Sequence, residues 1–286
     1  MVVRRFLKHK LAVISLCVLS GMILAAIVGP FFLPKFDAID LANTNQFTPS
    51  LSHPLGTDEL GQDVLARLLY AGRISLFVGL TAAFLGVVIG CIIGSLSGFY
   101  GKVVDMTLMR FTDMVLCVPL LMLLMVLSSF TRGRTLIPGL PSDLQQLVVI
   151  VVIIGVTSWM GVSRLVRGEF LSLREQEFAV ASRAMGGKDF WIITRHLLPN
   201  AMAPIFVAAT LGVGEAIILE SALSFLGFGV QPPVPTWGNM LTNAQQYMIS
   251  TPWLAVYPGM MIFLTVVSIN FIGDGLRDAM DPKLKH

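Results

Sequence analysis

The chain has 286 residues, is 55% hydrophobic and only 13% charged, with a mean hydropathy of +0.79 and a formal net charge of +3. A soluble domain carries about 25% charged residues, so this composition excludes a soluble globular protein, a disordered chain and a disulfide-stapled secreted scaffold. Cys17, Cys91 and Cys117 lie in apolar stretches without metal-ligand or disulfide spacing and read as small apolar packers.

A membrane-crossing helix needs about 20 predominantly apolar residues. Residues 11–34 form the first predicted span. Arg4, Arg5, Lys8 and Lys10 precede it as they would a signal peptide. The apolar run is too long for an h-region and no A-x-A site follows, so it reads as a retained helix. Residues 74–101 form a second span, and residues 114–131 a third, with a kink expected at Pro119. The fourth is 144–163. The fifth, about 201–229, is interrupted only by Glu215 and Glu220. No further charge appears until Asp274, but Gln231-Pro232-Pro233-Val234-Pro235 breaks this run and puts the sixth span near 253–272. The prediction is an all-α, polytopic membrane protein of six transmembrane helices.

Cations set its orientation, because short cytoplasmic loops carry an excess of Lys and Arg. With the N-terminus inside, Arg4, Arg5, Lys8, Lys10, Lys102, Arg110, Arg164, Arg167, Arg174, Arg183, Lys188, Arg195, Arg277, Lys283 and Lys285 fall on the inner side. Only Lys35, Arg67, Arg73, Arg132 and Arg134, of 20 in all, fall outside. Both termini are therefore expected in the cytoplasm. Two segments of about 40 residues interrupt the up-and-down pattern, 35–73 outside and 164–203 inside. The chain divides into residues 1–73, a first helix with its external segment, and residues 74–286, a core that contains the inner loop.

The inner loop reads as helical. Phe178, Ala181 and Met185 recur at helical spacing and share one face. Gly186-Gly187 ends that helix, and a second short one is expected from Asp189 to Leu198, before Pro199. On periodicity alone, such a helix fits a solvated loop, a membrane-surface helix or a docking element equally well.

A search for catalytic motifs finds none. Gly186-Gly187-Lys188 is followed by Asp189, and Ser182 stands where a phosphate loop needs its first Gly. No H-E-x-x-H or G-x-S-x-G occurs, and His9, His53, His196 and His286 are scattered. Nothing here hydrolyses ATP or a peptide bond, and no metal site is expected.

Residues 177–200 resemble the EAA loop of binding-protein-dependent ABC importers, of form EAA-x3-G-x9-I-x-LP. Ala181, Gly186, Leu198 and Pro199 match at the right spacing. Val180 replaces the motif Glu, Ser182 the second Ala and His196 the Ile. Glu177, one turn earlier, is the carboxylate available to substitute. The Arg-His-Leu-Leu-Pro-Asn ending is similar to the peptide and nickel permease subfamily. Residues 56–67 resemble the G-T-D-x-x-G-R-D-x-x-S-R segment of its C-type subunits, with Gln62 in place of Arg. Residues 223–233 with Thr236-Trp237-Gly238, and Gly273-Asp274-Gly275-Leu276-Arg277-Asp278 through Asp281-Pro282, match two further signatures.

The resemblance implies a type I importer permease in the bacterial cytoplasmic membrane, most simply for di- or oligopeptides. It implies a second, homologous permease chain, two cytoplasmic ATPase subunits or domains, and an extracytoplasmic solute-binding protein. ATP and Mg2+ would sit on the ATPases, no cofactor on this chain, and no nucleic acid is involved. The inner loop would be a coupling helix: Phe178, Ala181 and Met185 its apolar face, Gly186 its sharp exit and Arg183 a charge contact. Nickel or another small solute is an alternative cargo, since the same motifs serve both. A proton-coupled secondary transporter or channel using Glu215 or Glu220 is the alternative from another class.

Other residues carry two readings each. A carboxylate in mid-membrane must face a cavity or a partner, so Glu215 and Glu220 are either pathway residues or structural acids, pointing about 140° apart. Gly86-x-x-x-Gly90-x-x-x-Gly94 fits close helix packing. Trp237 and Trp253 are expected as interfacial anchors. Asp58, Asp63 and Arg67 serve either a docking partner or local caps and salt bridges. Met114, Met122 and Met125 read as adaptable core packing.

Overall fold

The computed structural model describes residues 2–44, 49–134 and 138–280. Among them every regular element is helical; extended pairing is confined to the isolated bridges Ile39–Gln62 and Thr57–Asp63. In chain order the helices are α1 (Val2–Phe6), α2 (Lys10–Val28), α3 (Val64–Tyr100), α4 (Lys102–Leu116), α5 (Leu120–Thr131) and α6 (Ser142–Thr157). They continue with α7 (Trp159–Leu173), α8 (Glu177–Ala184), α9 (Asp189–Ile192), α10 (Leu198–Phe225), α11 (Trp237–Ala244) and α12 (Trp253–Met280). Five rods among the described residues are long and apolar enough to cross a membrane, and the bent pair α4–α5 adds a sixth where its two helices are taken as one span. Five of the six predicted spans are present as continuous rods with different limits, and the third corresponds to the bent pair. The end of the last signature, Asp281-Pro282, and Lys283 and Lys285 lie outside the described residues.

The second span starts at Val64, ten residues before the expected start at 74, so the external segment is shorter than 35–73. Asp63 caps it, its Oδ1 accepting the Ala66 N–H at 2.8 Å. Two arginines counted as external lie within this helix, because each has a partner. Arg67 pairs with Asp58 at 3.6 Å and donates to Gln62. Arg73 donates its Nε–H to the Ala26 carbonyl at 2.6 Å, tying α3 to α2.

The glycine stripe of α3 packs on α7. A Cβ on Gly90 would come within 2.6 Å of Val162 Cβ, and one on Gly94 within 2.5 Å of the Ser163 carbonyl. Only hydrogen fits between these backbones, which confirms the packing reading.

The third span is bent by 84° between α4 and α5. Pro119 has no N–H and pushes Val118 out of the helical region, so the expected kink becomes a full break. The α5 helix alone, 12 residues, reaches about 18 Å. Met114 and Met122 are exposed on this unit rather than in a core, and only Met125 packs inward. Cys17 and Cys117 are likewise exposed, whereas the half-buried Cys91 packs against the core around Phe170 as expected.

The fourth span breaks at Ser158. The Thr157 and Ser158 hydroxyls donate to the carbonyls of Ile153 and Ile154, at 2.8 and 2.7 Å, and such back-bonding bends helices. The second helix expected at 189–198 does not end at Pro199. A π-turn at Ile193–Leu197 joins α9 to α10, and residues 189–225 run on as one rod. The wider turn accommodates a proline that cannot donate. The inner connection thus shrinks from 164–203 to 174–188.

Candidate functional site

The connection folds around α8. Gln176 is extended at the N-cap, and its carbonyl accepts the Ala179 and Val180 N–H groups at 3.0 and 3.1 Å. Glu177 follows as the first helical residue, where its negative charge meets the positive end of the helix. The helix closes in a Schellman motif. The Gly187 N–H donates to the Ser182 carbonyl at 3.0 Å, and the Gly186 N–H to the Arg183 carbonyl at 2.9 Å. Gly186 has φ +80°, which an L side chain adopts only under strain.

Ala179 and Ser182 are buried and hold α8 to the bundle. Ala179 packs into a core with Phe170 of α7, Ile192 of α9 and Leu197 of the π-turn. The opposite face is bare. Phe178 is 39% and Met185 81% exposed, with Ala181 exposed between them. Phe190 and Trp191 extend this apolar surface, which stays exposed among the described residues. His196, at the motif Ile position, sets its ring edge-on to Trp191 at 4.5 Å between centroids. Leu198 is half-buried and Pro199 exposed at the start of α10.

Arg183 departs from the expectation of a contact outside the chain. Its guanidinium lies 4.7 Å from the centre of the Phe99 ring, at the inner end of α3. The aromatic face attracts the cation and holds it inward. Neither periodicity nor motif pointed to this pair, because Phe99 is 84 residues away in sequence.

The two membrane acids separate. Glu215 is exposed on α10 between the buried Gly214 and Ala216. Glu220 is 0% exposed. Ser224 Oγ donates to its Oε1 at 2.7 Å and Ser75 Oγ to its Oε2 at 3.1 Å. Ser75 Oγ in turn accepts the Trp237 N–H at 3.2 Å, and the Trp237 Nε1–H donates to the Leu68 carbonyl at 3.1 Å. Trp237 is therefore buried inside the bundle and is no interfacial anchor; Trp253 remains exposed.

Thr236 and Asn239 form a capping box at the start of α11, and Asn239 Nδ2 also donates to the Val230 and Val234 carbonyls. A Cβ on Gly238 would meet the Ser221 carbonyl at 2.5 Å. The Leu223–Pro233 and Thr236-Trp237-Gly238 signatures thus build a segment folded back across α3 and α10.

Asp58, Asp63 and Arg67 act locally. Asp58 Oδ1 accepts the N–H groups of Leu60 and Gln62, at 3.0 and 2.8 Å, and His53 Nδ1 lies 2.8 Å from Asp63 Oδ2. Burial lifts the Glu59 carboxyl above the usual carboxylate range, and Asp58 pushes the same way against its backbone hydrogen bond and Arg67.

Known proteins share this architecture. Residues 86–286 match the family described as binding-protein-dependent transport system inner membrane component. Residues 1–49 match the N-terminal TM domain of oligopeptide transport permease C. A dipeptide transport system permease protein, DppC, of Alkalihalophilus pseudofirmus is 40% identical over 97% of this chain and 88% of its own length. The oligopeptide transport system permease protein OppC of Bacillus subtilis is 38% identical over 98% of this chain and 88% of its own. A solved chain of the MetNI methionine ABC transporter, in an inward-facing conformation, superposes with a TM-score of 0.58 at 22% identity. It covers 75% of this chain and 96% of its own, and shows a shared fold. Family match, near-complete relatives and fold agree: the chain is a multi-pass membrane protein and belongs to the binding-protein-dependent transport system inner membrane components.

Proposed function

We propose that this chain is one of two homologous permease subunits whose contact forms the pathway of an ATP-driven importer of di- or oligopeptides. The cargo class is supported by the relatives named for dipeptide and oligopeptide transport. Two cytoplasmic ATPase subunits or domains and an extracytoplasmic solute-binding protein complete the assembly. ATP and Mg2+ belong to the ATPases in this reading; the chain itself catalyses nothing and its part is mechanical.

The observation that carries the coupling role is the bare face of α8. Phe178, Ala181 and Met185 point away from a helix that Ala179 pins from behind. An ATPase cleft that covers this face can push or pull on α8. Close-packed interiors transmit displacement rather than absorb it. Movement of α8 therefore passes through Ala179 to Phe170, Ile192 and Leu197, and reorients the inner ends of α7 and the α9–α10 rod together. At the other end, the Glu220 network joins α3, α10 and α11 into one body, so tilt applied inside reappears outside. Glu215 is exposed on the same rod; a mid-membrane carboxylate avoids lipid, and in this reading it faces the pathway or the second permease.

Uptake of a labelled dipeptide tests the reading, in cells whose only importer of this type contains the chain. Accumulation should require ATP and be competed by unlabelled peptides. ATP-independent accumulation that follows the proton gradient would favour a secondary transporter. Uptake of nickel with no competition by peptides would overturn the cargo assignment.

A further inference from the structure

The inner ends of α3, α4, α7 and α8 line an open cavity of about 530 Å³, which reaches the coupling helix at Val180 and Arg183, outside its Phe178–Ala181–Met185 face. Three cations line it, each from a different place in the chain. Lys102 is the first residue of α4, Arg174 follows α7 and Arg183 belongs to α8. Glu175, 4.0 Å from Arg174, is the single acid on its wall.

Two of the cations are held in place by the chain. Arg174 Nη1 donates to the Gly98 carbonyl at 3.0 Å and lies against Gly101, where a Cβ would approach it to 2.8 Å. Arg183 rests on the Phe99 ring, which leaves its N–H edge free. Lys102 has φ +45°, the single non-glycine residue with positive φ among the described residues. That conformation is disfavoured for an L residue. No side chain caps the N-terminus of α4; the one acid of its first turn, Asp105, is engaged by Arg167 at 2.6 Å and by Ser97, and offsets part of the positive field at Arg174. Like charges gathered in one cavity repel unless an anion lies between them.

The surroundings say which anion. Tyr100 lines the cavity and is exposed, and Leu96 and Ile92, one and two turns back on the same face of α3, are exposed too. An apolar track ending in an aromatic ring and a ring of cations matches a lipid whose acyl chain follows the helix and whose headgroup reaches the water interface. We propose that this cavity binds the phosphate of an anionic phospholipid of the cytoplasmic leaflet, between Lys102, Arg174 and Arg183. The bound phosphate joins α8 to the inner ends of α3 and α4. Coupling then depends on the lipid as well as on the ATPase, whatever the cargo.

The test is native mass spectrometry of the assembled transporter, extracted into detergent with equal amounts of phosphatidylglycerol and phosphatidylcholine. The wild type should retain phosphatidylglycerol preferentially. Lys102→Gln should reduce that preference about fivefold, the contribution of one cation near an anionic surface, and Lys102→Arg should restore it. Lys102 is exposed, so its replacement leaves the buried core untouched. Arg183→Gln should give a loss of similar size. Equal retention of the two lipids by the wild type, or an unchanged preference in Lys102→Gln, would overturn the proposal. Release of phosphatidylglycerol by millimolar inorganic phosphate would assign the cavity to a free anion and overturn the lipid.

Discussion

The region around Glu220 and the region around α8 sit at opposite ends of the same rod, and they treat polar and apolar groups in opposite ways. At Glu220 an acidic side chain is sealed away from solvent, with both carboxyl oxygens accepting from serines and Trp237 closing the site. At α8 the apolar side chains Phe178 and Met185 stand exposed beyond the span ends. The first region satisfies itself and is complete within one chain. The second is complete only when something covers it. A buried polar network rigidifies, whereas an uncovered apolar patch marks an interaction surface. The contrast separates the part of the permease that holds shape from the part that, in the proposed function, receives force.

Damage to the two regions should therefore be read by different measurements. The largest expected effect is Trp237→Ala, which removes a buried aromatic and its bond to the Leu68 carbonyl. A loss of about 3–5 kcal/mol is expected, seen as a lower melting temperature of the purified permease with or without its partners. An unchanged melting temperature would mean that α11 does not brace the outer half.

Ala181→Asp comes next and should behave in the opposite manner. The site is exposed in the isolated chain, so the melting temperature of the permease alone should not move. An unpaired carboxylate in a covered interface costs about 2–5 kcal/mol, so ATPase co-purification should fail. Retained ATPase and full uptake would mean that this face lies on the membrane surface instead.

Glu220→Gln sharpens the comparison further. The amide keeps one acceptor but turns a donor toward Ser75 or Ser224, a mismatch of about 1–3 kcal/mol. Stability should drop modestly while the pH profile of uptake stays the same. A profile that flattens would make Glu220 a proton site and remove its structural role.

The smallest effect is expected from Gly186→Ala. No atom lies within 4 Å of the added Cβ, so the cost is limited to the left-handed backbone, about 1–2 kcal/mol. The exit of α8 should loosen, and ATP hydrolysis should continue with less uptake per ATP consumed. Unchanged coupling would show that the exit angle of α8 does not matter. A cysteine in place of Lys188 should resist an external thiol reagent that labels one in place of Asn243; the reverse pattern would invert the molecule and separate α8 from any cytoplasmic ATPase.

Much of this was legible before the fold was known, and what was missed has a common cause. Periodicity placed Phe178, Ala181 and Met185 on one face, because an amphipathic helix displays its pattern within a few residues of sequence. The same reading sent Arg183 outward, since nothing nearby in sequence announces the Phe99 ring. Trp237 reads as an interfacial anchor because it flanks the sixth span in sequence, and its burial depends on the Leu68 carbonyl and Ser75. Charge counting began the second span at 74 because Arg67 and Arg73 count against a membrane helix. Their partners, Asp58, Gln62 and the Ala26 carbonyl, lie on other elements.

The sequence by itself determined the order of the apolar helices, the close approach along Gly90 and Gly94, and the amphipathic face of α8, and its cations carry the expected orientation. These are local properties: hydropathy over about 20 residues, cation counts in short loops, and spacing on one helix. The tertiary structure alone decided that the second span begins at Val64 and the fourth breaks at Ser158, that Glu220 is sealed while Glu215 is exposed, and that Lys102, Arg174 and Arg183 share one cavity. A charge in an apolar chain is costly or harmless according to its partner. Here Ser75 reaches Glu220 across 145 residues and Phe99 reaches Arg183 across 84, distances that only folding closes.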